Sequence, residues 1–202
     1  MIWLLACLGA STFALAAALG IWLAARFTLT LTRLDGAPPE RDIHPAWLMI
    51  GASFVGAMLG VSHEQLVLIL YLSVLTVPFI AALQTDLRFG LVPDLITLPA
   101  LGLVTVYALI THNPNMFMGA ILALPFALAA IQSRGLGMGW GDVKLIALIG
   151  ATMGIERTLS VLFMALITLV FLQRIDHRQP KEPVAFVPYL VGACGVTCML
   201  LP

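Results

Sequence analysis

Apolar residues fill this chain in eight runs separated by short polar stretches. Residues 1–25, 46–61, 66–83, 95–111, 116–131, 143–154, 158–172 and 184–201 carry almost no charge. A helix needs roughly 20 residues to cross a hydrocarbon core. The pattern therefore predicts an all-α polytopic membrane protein of about eight transmembrane helices, with Pro78 a kink position in the third. The stretch 26–45 holds Arg33, Asp35, Pro38, Pro39, Glu40, Arg41 and Asp42 and reads as a loop. Further polar segments fall at 62–65, 84–94, 112–115, 132–141, 155–157 and 173–183.

Composition agrees. Of 202 residues, 61% are hydrophobic and only 10% charged, and the mean hydropathy is +1.04. A soluble domain is usually about 25% charged. The formal net charge is zero, so bulk electrostatics point to no nucleic-acid partner. Cys7, Cys194 and Cys198 all lie inside apolar runs, where small buried side chains are the ordinary reading. The first run has no basic leader and no clear cleavage signal, so it reads as a retained span.

Lysine and arginine orient the spans. Loops counted from the N-terminus and odd in number hold Arg26, Arg33, Arg41, Arg88, Arg134, Arg174, Arg178 and Lys181, and Lys144 sits just past the third of them. Arg157 alone falls in an even loop, so nine of the ten basic residues share one side. That side is the expected cytoplasmic face, with both termini periplasmic. It also carries Asp86, Asp94 and Asp142.

One stretch is unlike the rest: Arg134-Gly135-Leu136-Gly137-Met138-Gly139-Trp140-Gly141-Asp142-Val143-Lys144. Alternating glycines make a poor helix interior and let other main chain come close. Asp142 then opens an apolar run, and a carboxylate beside a span is a functional candidate. A helix from Asp142 to Glu156 would rise about 21 Å, short of the roughly 30 Å core, which sets Asp142 below the surface or thins the bilayer there. Asp86 lies at the same face on another span. Two such carboxylates can share a proton, one activating water and the other protonating a leaving amine. The ordinary alternative is a pair of solvated loop aspartates.

Gly139-Trp140-Gly141-Asp142-Val143-Lys144-Leu145 resembles the G-x-G-D-x-K-L signature of type IV prepilin peptidases. Asp86-Leu87-Arg88, with Leu91-Val92-Pro93-Asp94-Leu95-Ile96-Thr97-Leu98-Pro99, resembles that family's first aspartate motif. Ala185-Phe186-Val187-Pro188-Tyr189-Leu190 is similar to its segment before the last span, with Val187 where the family favours glycine. The resemblance runs from about Asp86 to the C-terminus. It implies an aspartic endopeptidase of the bacterial inner membrane. Such an enzyme cuts the short basic leader from prepilins or pseudopilins at the cytoplasmic border, after a glycine. The catalytic pair carries over to Asp86 and Asp142. Gly139, Gly141 and Lys144 become motif or substrate-backbone residues, and Arg88, Pro93 and Asp94 supporting ones. The expected organisation is one membrane-embedded peptidase domain, 1–202, with N-terminal spans in 1–61, a short cytoplasmic loop at 26–45 and a catalytic core in 66–202. Partners are the leader helix and the lipid bilayer.

Many family members carry a cysteine-rich zinc domain in the first cytoplasmic loop, linked to N-methylation of the trimmed pilin. Here that loop has no cysteine, and structural zinc needs four ligands. No metal, no cofactor and no methyltransferase activity are therefore expected. His44, His63, His112 and His177 fall on opposite faces and suggest no metal site either. Asp94, after Pro93 and before an apolar run, has helix N-cap placement. Lys144, two positions past Asp142, reads as a snorkelling lysine or an anchor for acidic substrate groups. Arg88 either tunes Asp86 or faces the cytoplasm, and Trp140 reads as an interface aromatic. Two other readings stay open: another G-x-G-D protease of the signal-peptide-peptidase type, though Thr85 stands where that type has tyrosine, and a small transporter with intramembrane aspartates.

Overall fold

Every regular element among the described residues is an α-helix. The computed structural model describes residues 2–35, 44–62, 66–133, 139–175 and 186–200. The elements are α1 (Ile2–Asp35), α2 (Pro45–Ser62), α3 (Leu66–Phe89), α4 (Asp94–Ile110), α5 (Pro114–Ile121), α6 (Leu124–Gln132), α7 (Trp140–Ile175) and α8 (Val187–Leu200). Five helical stretches are long and apolar enough to cross a membrane: Ile2–Leu29, Pro45–Ser62, Leu66–Phe89, Pro114–Gln132 and Trp140–Leu172. α4 and α8 are apolar but shorter. Pro38, Arg41, His63, Glu64, Arg134, His177, Lys181 and Ala185 lie outside the described residues.

Several boundaries differ from the sequence reading, each for a local reason. α1 runs on to Asp35 rather than ending at the first arginine. Nothing between Arg26 and Asp35 breaks a helix; Gly36 and Pro38 come only afterwards. α3 passes through Pro78 and also through the polar segment, as far as Phe89. It stops where Gly90 turns to φ 64 and donates its N–H to the Asp86 carbonyl at 2.8 Å, a left-handed glycine cap. The fifth apolar run divides into α5 and α6 around Leu122 and Ala123. Pro125 accounts for the division, because it has no N–H for the carbonyl one turn back. In α7, Gly154 takes φ 79 and ψ 179. It interrupts the helix where the sixth run was expected to end.

The chain forms two compact units. The first comprises Met1–Leu91 with Cys198–Pro202, the second Val92–Thr197. In the first, Leu5, Phe13, Ala17, Ala52, Leu59, Ile69 and Ile80 form a buried cluster from α1, α2 and α3. Gly9 and Gly56 face each other so closely that a Cβ on either would strike the opposing carbonyl. Small residues let membrane helices approach in this way, where lipid removes the usual hydrophobic drive. In the second unit, Gly119 of α5 meets Gly150 of α7 likewise. Leu145, Ile146, Leu148 and Ile149 of α7 are fully buried, at 0–1% exposure. Large apolar side chains such as Leu15, Val67, Leu95 and Phe163 remain exposed. That is unfavourable in water and neutral in lipid.

Candidate active site

Asp86 sits in the last turn of α3, on the helix rather than in a loop, because no breaker lies between Pro78 and Gly90. It is 8% exposed, beside Gln84 at 2% and Thr85 at 0%. The three form an unbroken run of buried polar residues, which is costly in an apolar setting without partners or a function. Thr85 turns its hydroxyl back on its own helix, donating to the carbonyls of Ala81 at 2.9 Å and Ala82 at 3.1 Å. Arg88, one turn from Gln84, donates from Nη1 to the Thr28 hydroxyl on α1 at 3.3 Å. Thr28 passes its own proton to the Ala24 carbonyl at 2.8 Å. Arg88 thus ties the end of α3 to α1, which the sequence did not reveal, since Thr28 is 60 positions away.

Asp142 stands in the first turn of α7, in the second unit, and is partly buried. On a helix it shares a face with Leu145, Ile146 and Ile149, all 0–1% exposed. The carboxylate is therefore aligned with the packed side of α7. Gly139 lies directly beside it: a Cβ there would stand 3.6 Å from Oδ2. The Gly139 carbonyl accepts the Val143 N–H at 3.4 Å, closing the first turn. Gly141 faces Val92, and a Cβ on Gly141 would lie 2.7 Å from the Val92 Cβ. Glycine is required there by close approach. The sequence flagged Gly141, but nothing in it named Val92 as the partner.

Asp94 does not cap α4. The residue at that position is Pro93, with φ −68 and ψ 129, and no side chain caps the helix. Instead the Pro93 carbonyl accepts the N–H groups of Ile96 at 3.2 Å and Thr97 at 3.3 Å, and the Thr97 hydroxyl at 3.3 Å. Asp94 is the first helical residue, where a negative charge favours the helix dipole. Its carboxylate pairs with Lys144 of α7. Lys144 therefore has a side-chain partner within its own unit. Trp140 is exposed, in keeping with an interface aromatic. Among the described residues, no three His, Cys, Asp or Glu side chains gather as a metal site would need.

Fold and site define a helical membrane protein with one carboxylate buried at the end of α3 and another in the first turn of α7. The chain belongs to the type IV leader peptidase family, which matches residues 73–173. It is similar to curated relatives named prepilin leader peptidase/N-methyltransferase. The Bacillus subtilis relative is 27% identical over 159 residues, covering 73% of this chain and 61% of the relative. The Dickeya chrysanthemi relative is 31% identical, with 61% and 48% covered. That of Xanthomonas campestris pv. campestris is also 31% identical, with 59% and 46% covered. The chain thus spans between about half and three-fifths of the length of these relatives. No solved structure matches it.

Proposed function

We propose that this chain is an aspartic endopeptidase of the bacterial inner membrane, removing the short basic leader from a prepilin or pseudopilin at the cytoplasmic border. The observation that carries the reading is that the family match, 73–173, contains both motif aspartates, Asp86 and Asp142. In this mechanism the two carboxyl groups share one proton. The ionised member takes a proton from water, and the resulting hydroxide adds to the scissile carbonyl. The protonated member then gives its proton to the departing amine as the C–N bond breaks. No covalent intermediate forms. The glycines before Asp142 leave room for extended substrate backbone.

The chain in this reading crosses the membrane eight times as one peptidase domain, with residues 66–202 as the catalytic core. α4, α8 and the two halves of α7 about Gly154 complete the count beyond the longer spans. Both termini are periplasmic, supported by the nine-to-one bias of lysine and arginine. The activity is peptidase alone, since the stretch 26–45 offers no cysteine to hold zinc. Co-expression with candidate prepilins tests the whole reading. The expected result is a size shift with the wild type and none with Asp142→Asn. An unshifted substrate across prepilins and pseudopilins alike would remove the reading. Mass spectrometry of the processed product is expected to show an unmethylated new N-terminus.

A further inference from the structure

The first turn of α7 is fastened twice to the segment that begins α4. Val92 fills the space left by Gly141, where even one added carbon would come within 2.7 Å. One turn on, Lys144 pairs with Asp94. Residues 141 and 144 are three apart, so both contacts lie on one face of α7. Asp142 lies about 100° around the helix from Gly141 and farther from Lys144, given 3.6 residues per turn. Its face is that of Leu145, Ile146 and Ile149. One face of the turn is thus held while the carboxylate projects from another.

The two fastenings differ in kind. The Val92 contact sets the distance between the segments, because two surfaces in van der Waals contact cannot approach further. It does little to stop α7 from rotating about its axis. The buried Leu145, Ile146 and Ile149 hold the body of α7, and the ion pair adds a restraint at its first turn, displaced along the helix from the Val92 contact. The Lys144 side chain is 28% exposed and that of Asp94 59%. Pairs this open contribute little to stability. Their orienting effect can be larger, because a displacement of about 1 Å at a reacting group can reduce a rate by about 100-fold.

We infer that Asp94 and Lys144 are positioning residues, whose ion pair sets the rotation of the first turn of α7 and so the direction of the Asp142 carboxylate. The inference rests on the peptidase reading. In this role neither residue touches the reacting atoms. The role also explains why the lysine stands two positions from the aspartate: that spacing puts the restraint on the side of the helix away from the carboxylate.

The test is a double-mutant cycle on the full chain in liposomes, with a leader-bearing peptide as substrate. Asp94→Asn and Lys144→Met are each expected to lower kcat about tenfold, with KM within about twofold and the thermal midpoint within about 2 °C of wild type. The double variant is expected to lose no more than either single, because residues acting as a unit are not additive. Asp94→Glu, which keeps the charge, is expected to recover most of the rate. Amide exchange over residues 141–145 is expected to quicken in both single variants, a readout independent of turnover. Losses that multiply in the double variant, a change confined to KM, or unchanged exchange would each overturn the inference. Asp142→Asn in the same assay separates the two levels. Full cleavage by that variant would remove the peptidase reading itself, whereas an inactive Asp142→Asn beside a multiplicative cycle would remove only the positioning role.

Discussion

Gly141 and Val92 give the sharpest prediction at the scale of single residues. A methyl group on Gly141 has no room, with the Val92 Cβ 2.7 Å from its place. Overpacking of this kind costs about 1–3 kcal/mol. Gly141→Ala is expected to lower the thermal midpoint and to reduce cleavage by displacing the turn that holds Asp142. Adding Val92→Gly should restore part of both, since it removes the Cβ and Cγ2 that a methyl group on Gly141 would strike; thermal melts and initial rates on the pair check this. The acids were legible in the sequence, because a carboxylate beside apolar runs is rare enough to stand out. Their neighbours were not. Asp94 sits where a capping residue would sit, and only the structure shows Pro93 in that place and Asp94 paired with Lys144. Thr28 as the acceptor for Arg88 was equally hidden, because a contact across 60 positions leaves no local trace.

At the scale of elements, two glycines at positive φ decide where helices stop. Gly90, at φ 64, ends α3 one turn past Asp86. An alanine there is expected to cost about 1 kcal/mol and to fray the turn that carries the acid. Gly154 is more demanding, since its φ 79 and ψ 179 belong to a region open to glycine almost alone. Gly154→Ala is expected to destabilise by about 1–3 kcal/mol, read as a lower midpoint. An unchanged midpoint would mean that α7 is not interrupted there. Hydrophobic runs located the helices because lipid and core both select apolar residues. They did not locate the ends, because a helix continues through polar residues until something breaks it. The extensions of α1 to Asp35 and of α3 to Phe89 both follow from that rule.

At the scale of the whole molecule, composition alone was enough to assign a membrane protein, and the long apolar helices agree with it. The number of crossings is less plain in the sequence, because α4, α8 and the part of α7 before Gly154 are each shorter than about 20 residues. Single cysteines placed in the loops and labelled from outside are expected to follow the basic-residue bias, with Arg157 on the exposed side and Arg88 protected. The family match and its two aspartates bear most directly on activity. The decisive measurement is cleavage of a synthetic leader-bearing peptide by purified protein in liposomes, comparing the wild type with Asp86→Asn and with Asp142→Asn. Each substitution is expected to reduce the rate by at least about a thousandfold while the protein stays folded, since each removes an essential proton carrier. A rate within tenfold of wild type for either variant would contradict the account.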